Sequence, residues 1–174
     1  MLKVAVTGTG SLIGQAIIKS ILNSTLSNSI KIIGFDYFEN TIGSYMTSKN
    51  YTLPDILKNE VDEIEWIEKI ISIIIEEDIS MIFIGVDFEL EFFAKYKNRI
   101  ENDTKIKIVV SNLESIRVAN DKYLTYKFLF ENNFNYPETY LLSDINNEDI
   151  VYPKIIKPRI GYISRNVILV NSPL

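Results

Sequence analysis

The chain has 174 residues and contains no histidine and no cysteine. That composition excludes Ser-His-Asp and Cys-His nucleophile systems, thiol redox centres and Cys/His zinc sites; catalysis is left to carboxylates, lysines, hydroxyls, backbone amides or a hard cation held by oxygen. A net charge of −5, from 18 Lys+Arg against 23 Asp+Glu, argues against nucleic acid as a partner.

The charge is uneven. Pro153–Leu174 carries Lys154, Lys157, Arg159 and Arg165 and no acid, so it is net +4 and residues 1–152 are net −9. A short cationic segment on an acidic body suits a small anion. Hydrophobic content of 47% provides for a packed core. The longest apolar runs, Ile70–Ile75 and Met81–Val86, are far shorter than the ~18 residues of a membrane span, and glycine interrupts the N-terminal strand too early for a secretory h-region. A cytoplasmic protein with no membrane partner is expected.

In chain order, β-branched runs alternate with amphipathic stretches, the pattern of an α/β parallel sheet with helical crossovers. Strands are predicted at Leu2–Thr7, Lys31–Asp36, Ser80–Gly85 and Ile106–Val110. The first helix follows Gly10 with Ile13, Ile17 and Ile21 at four-residue steps; the second carries Ile64, Ile67, Ile71 and Ile74 on one stripe; the third brings Leu90, Phe93 and Ala94 together. Asp62 with Glu65, and Ser111 with Glu114, resemble capping boxes. Phe38–Pro54 reads as a long irregular stretch. Beyond Val110 come a short helix at Asn112–Val118, a second one started by Asp121, and strands at Pro137–Leu142, Lys154–Lys157 and Asn166–Val170, with Ser143–Asp149 a polar loop. The domain boundary is expected near residues 111–120.

Three motifs carry candidate chemistry. Gly8-Thr9-Gly10-Ser11-Leu12-Ile13-Gly14 joins the first strand to the first helix, where backbone amides and the helix dipole suit an anion. Gly8, Gly10 and Ser11 are therefore candidate anion ligands, set against a purely structural turn. Asp36 ends the second strand, where an acid meets the ribose in nicotinamide enzymes. Tyr123 and Lys127, with Ser111 upstream, imitate the Ser…Tyr-x-x-x-Lys set of short-chain dehydrogenases, which leaves an NAD(P)-dependent reductase open as an alternative. Asp87 to Glu91 place acids at the start of the third helix, where Asp87 is expected to act as the N-cap in preference to a catalytic carboxylate pair.

The most informative stretch is C-terminal. Asn120-Asp121-Lys122 opens a helix, Pro137-Glu138-Thr139 follows, and Pro153-Lys154-Ile155-Ile156-Lys157-Pro158-Arg159 runs into Gly161, Ser164 and Arg165. Lys157 ends an otherwise apolar strand, and a lysine there calls for an anion or a carboxylate beside it.

This order resembles the ATP-grasp ligases, and more narrowly their carbamoyl phosphate synthetase large-subunit-like branch. The resemblance implies a Rossmann-like pre-ATP-grasp domain over residues 1–110 and the N-terminal portion of an ATP-grasp domain over 111–174. It implies ATP-dependent carboxylate–amine or –thiol ligation through an acyl phosphate, with small-molecule carboxylate and nucleophile substrates and with ATP and Mg²⁺ as cofactors. Lys122 and Lys157 would contact the nucleotide, and Arg159, Gly161, Ser164 and Arg165 would belong to the loop that closes over the phosphates. The acidic Mg²⁺ ligands would lie beyond Leu174, so the 174-residue chain alone is expected to be inactive. A non-catalytic nucleotide- or metabolite-binding module is the remaining alternative. The apolar edges at Pro137–Leu142 and Asn166–Val170 are candidate pairing sites for a second copy of the chain.

Overall fold

The computed structural model describes residues 1–58, 60–145, 151–161 and 166–172. The chain divides into two compact units, residues 1–113 and 114–174.

In the first unit, strands β1 (Leu2–Thr7), β2 (Ile30–Asp36), β3 (Lys49–Thr52), β4 (Met81–Phe83) and β5 (Lys107–Val109) form one parallel sheet in the order β3-β2-β1-β4-β5. Val6 lies in register between Gly34 of β2 and Phe83 of β4. Helices α1 (Leu12–Leu22), α2 (Glu63–Glu77) and α3 (Leu90–Thr104) make the crossovers β1 to β2, β3 to β4 and β4 to β5. Strands in such a sheet are buried on both faces, so they read as continuous apolar runs. Val4, Val6 and Ile32 pack with Ile18 of α1 on one face. Their sequence neighbours Ala5, Ile33 and Phe35 join Ile67, Ile70 and Ile74 of α2 and Phe93 and Ile100 of α3 on the other. Trp66 is 1% exposed. Its indole N–H donates to the Pro54 carbonyl at 3.0 Å, and its ring meets Phe93 edge-on at 5.5 Å.

The Asp62 carboxylate caps α2, accepting from the Ile64 and Glu65 amides at 2.8 and 3.0 Å, as its position predicts. Two other expectations are corrected. Phe38–Pro54 is not wholly irregular, because β3 lies inside it. Lys49-Asn50-Tyr51-Thr52 forms the polar sheet edge and has no apolar alternation to announce it, which is how edge strands avoid pairing with other chains. Asp87 does not cap α3 either. Asp87–Glu89 form a 3-10 turn, α3 begins at Leu90, and Glu89 in the cap position makes no side-chain cap bond, because its carboxyl turns into the interior.

The second unit contains most of α4 (Leu113–Asn120), all of α5 (Lys122–Glu131), and the antiparallel pair β6 (Lys154–Ile156) and β7 (Ile168–Val170), with Lys154 opposite Val170. The strand predicted at Pro137–Leu142 does not form; the segment is irregular up to a 3-10 turn at Leu142–Asp144. Pro137 has no N–H to donate, and local bonds take the hydroxyls, Thr139 to the Pro137 carbonyl at 2.9 Å and Tyr140 to Glu138 at 3.1 Å. Only Ile116 and Asp121 are buried among the described residues of this unit, and α5 buries none. No helix among the described residues is long and apolar enough to cross a membrane.

Candidate functional site

Ligands of open parallel sheets bind outside the carboxyl ends of the strands. In the first unit the protein's own groups occupy that rim. Gly8 turns the chain with φ of 56°, and an added Cβ on Gly14 would stand 2.1 Å from the Gly8 carbonyl oxygen, so the glycines let α1 pack directly on the turn. The Ser11 amide donates to the Gly8 carbonyl at 2.8 Å, while the Ser11 hydroxyl caps α1 by accepting from Gly14 at 2.8 Å and donates to the Gly85 carbonyl at 2.7 Å. The Gly10 amide, a candidate anion donor by sequence, donates instead to Asp36 Oδ2 at 2.8 Å. Asp36 is therefore not a free ribose acceptor. It is buried, takes the Thr9 hydroxyl at 3.1 Å, and accepts from the Tyr37 and Phe38 amides at 2.8 and 3.1 Å. A carboxylate seated on the glycine turn repels a second anion there, and the bonds of the turn join β1, α1 and β2.

Glu89 lies at the same rim and is 1% exposed. The Tyr37 hydroxyl donates to its Oε1 at 2.5 Å, and Oε2 has no partner among the described residues. Burial pushes the Glu89 carboxyl up to about 7; the Asp36 charge adds to the rise, and the Thr7 and Tyr37 hydroxyls nearby oppose it. Burial, reinforced by Glu89, drives the Tyr37 phenol upward as well, so Tyr37 stays a donor. By sequence, Glu89 is one of the acids expected to start the third helix. The only hint of burial was its place between Phe88 and Leu90.

The second unit gathers the C-terminal cations. Asp121 caps α5 by accepting from the Tyr123 and Leu124 amides at 2.9 and 3.2 Å. The same carboxylate receives the Arg159 guanidinium through Nε, at 3.1 and 3.0 Å to its two oxygens, and through Nη2. The Arg159 pairing holds the Asp121 carboxyl below the usual range, and the two capping amides add to it. Lys122 donates its amide to the Arg159 carbonyl at 3.1 Å, and its ammonium reaches the carbonyls of Arg159 and Gly161 at 3.3 and 3.4 Å. The Thr125 amide returns to the Asp121 carbonyl at 2.8 Å, so the first four amides of α5 are all satisfied within the chain.

Lys122, Arg159 and Gly161 are thus brought together by the carbonyls of Arg159 and Gly161, and Asp121, missing from the candidate ligands, anchors the Arg159 guanidinium. Lys157 stands apart. It is exposed, has no ion-pair or hydrogen-bond partner among the described residues, and lines an open depression of about 540 Å³ whose walls include Leu141, Leu142, Ile156 and Asn166. An apolar wall beside an exposed ammonium suits a ligand with a flat apolar part and a negative charge. Ser164 and Arg165 lie outside the described residues. Lys127 sits over the Tyr123 ring at 5.1 Å, as does the Arg159 guanidinium at 5.5 Å, so both cations lie over the ring of the Tyr-x-x-x-Lys tyrosine. No group of three or more acidic residues among the described residues could hold a metal ion.

No family model matches the chain, and no curated protein matches it. Solved structures do. The L-amino acid ligase from Bacillus licheniformis superposes with a TM-score of 0.66 at 16% identity, over 99% of this chain and 39% of the ligase. N5-carboxyaminoimidazole ribonucleotide synthetase from Thermotoga maritima gives 0.68 at 16% identity, over 99% and 42%. The biotin carboxylase domain of Hydrogenobacter thermophilus 2-oxoglutarate carboxylase, solved with MgADP, ADP and bicarbonate, gives 0.68 at 16% identity, over 99% and 38%. The fold is that of the N-terminal part of ATP-grasp enzymes. The chain spans about two fifths of the length of these three neighbours.

Proposed function

We propose that this chain is the N-terminal part of an ATP-dependent carboxylate–amine or –thiol ligase of the carbamoyl phosphate synthetase large-subunit-like branch. Residues 1–110 serve as the pre-ATP-grasp domain and 111–174 open the ATP-grasp domain. The observation that carries this reading is the match of nearly the whole chain to the N-terminal parts of enzymes that include an amino-acid ligase and a ribonucleotide synthetase. The absence of histidine and cysteine fits, because activating a carboxylate by phosphoryl transfer needs positioning and charge neutralisation and no thiol or imidazole.

When bound, Mg²⁺ATP supplies the phosphoryl group that turns the substrate carboxylate into an acyl phosphate for the amine or thiol to attack. The chain's own part is binding. Lys157, without a partner among the described residues and beside an apolar-walled depression, is the residue best placed to meet the nucleotide. Lys122, now resting on two carbonyls at 3.3 and 3.4 Å, holds them weakly enough to turn toward a phosphate. Gly161, Ser164 and Arg165 are assigned to the covering loop. The exposed apolar side chains of α5 and of the β6–β7 pair are surface that a complete ATP-grasp domain would cover.

Calorimetric titration of the encoded polypeptide with MgATP, alongside release of ADP that depends on both a carboxylate and an amine, tests this. Lys157→Ala is expected to weaken MgATP binding at least about tenfold, the loss of one charge-assisted contact; unchanged affinity would remove Lys157 from the site.

A further inference from the structure

The resemblance that suggested a ligase would place Arg159 among the phosphate-covering residues. Arg159 lines the same depression as Lys157, but its guanidinium is already engaged. The guanidinium addresses both oxygens of Asp121, a carboxylate with only 10% of its side chain exposed, and lies 5.5 Å from the Tyr123 ring centroid. Its carbonyl accepts both the amide and the ammonium of Lys122. Side chain and backbone of one residue are thus fastened to the first turn of α5, across 38 positions of sequence. Between Arg159 and Lys157 stands only Pro158, whose ring restricts φ and removes a donor. Fixing Arg159 therefore fixes the stretch that carries Lys157 with little slack.

We propose that Asp121 and Arg159 form a latch that holds the turn after β6 against α5, so that Arg159 is a positioning residue for Lys157 and not a phosphate ligand. This rests on the reading of Lys157 as a nucleotide contact. The latch makes a prediction that a direct phosphate ligand does not: removing the acid must harm nucleotide binding as much as removing the base. A carboxylate next to a phosphate-binding arginine repels the phosphate, so deleting its charge would raise affinity. The latch reverses that sign.

Asp121→Asn is the informative variant, because asparagine is as good an N-cap as aspartate and leaves α5 started while discharging the ion pair. The encoded polypeptide would be studied as wild type, Asp121→Asn, Arg159→Ala and the double variant. MgATP affinity is read by calorimetry, and hydrogen exchange is followed at the Lys122 amide, the donor to the Arg159 carbonyl. Each single variant is expected to lose about five- to tenfold in affinity and about tenfold in protection of that amide, and the double variant to lose no more than either, the signature of one shared interaction.

Affinity that is unchanged or higher in Asp121→Asn while Arg159→Ala weakens binding would make Arg159 a direct ligand and overturn the latch. Unchanged exchange at Lys122 in both single variants would overturn it as well. If the wild type binds no MgATP, the ligase reading falls and the positioning role falls with it, while the exchange data still decide whether the two residues hold the turn.

Discussion

The buried carboxyl of Glu89 makes the stability of the first unit depend on pH in a direction opposite to the usual one for an acid. Its folded value of about 7 stands well above the ordinary glutamate value of about 4.5. Between those two values the unfolded chain releases the proton while the folded chain keeps it. The folded state is thus favoured in full below about 4.5, loses stability as pH rises toward 7, and levels off above that. At about 1.4 kcal/mol per unit the loss is about 3 kcal/mol, a large share of a typical ~5–15 kcal/mol for a domain. Glu89→Gln removes the titration and keeps the shape. Urea unfolding followed by Trp66 fluorescence reports this unit directly, since Trp66 is the single tryptophan and lies in the same core. Relative to the glutamine variant, the wild type is expected to lose about 3 kcal/mol between pH 4.5 and 7.5. The amide nitrogen placed where Oε2 has no partner among the described residues adds an offset, but that offset does not vary with pH. A gap between the two proteins that stays constant across this range would refute the reasoning and return Glu89 to an ordinary carboxylate.

Two further variants probe the frame around that site. Gly14→Ala puts a Cβ 2.1 Å from the Gly8 carbonyl oxygen and 2.8 Å from its carbon, both backbone atoms that cannot yield cheaply. A loss of about 3 kcal/mol or more is expected in thermal melts, and a wild-type melting temperature would show that α1 does not rest on the turn. Glu77 is held down to about 2, first by its bond from Lys49, then by Tyr51 and Lys3. Its contribution is complete above the ordinary value of 4.5 and fades as pH falls toward 2, so Glu77→Gln should flatten the acid limb of the stability curve while leaving the slope near neutrality unchanged. An unaltered acid limb would mean that these partners contribute nothing.

The parallel sheet was legible because burial on both faces leaves a strong signal. In Leu2–Thr7 and Lys31–Asp36, apolar residues face both the α1 layer and the α2–α3 layer, so neither strand could be mistaken for a polar loop. The isoleucine stripe on α2 and the cap at Asp62 were legible for the same local reason. β3 was not, because an edge strand carries little apolar signal and its order comes from β2: Lys49 pairs with Ile33 and Thr52 with Asp36. Glu89 escaped for a related reason, since a glutamate in a run of acids reads as solvated until a tyrosine from a distant strand is placed against it.

The second unit shows where reading by local pattern stops. α5 is apolar around most of its circumference, and Phe128, Phe130 and Phe134 stay about half exposed. A helix without a polar face does not announce which side packs, and a two-stranded pair such as β6–β7 is marginal without further cover. Periodicity therefore carried no information about which way α5 or its neighbours should face. The same holds for the cations. Lys122, Lys157 and Arg159 look alike in sequence as positive charges, yet one rests on carbonyls, one has no partner among the described residues, and one is clamped by Asp121. What separates a ligand from a latch here is a carboxylate 38 positions upstream, and a contact at that separation leaves no spacing for a motif to record.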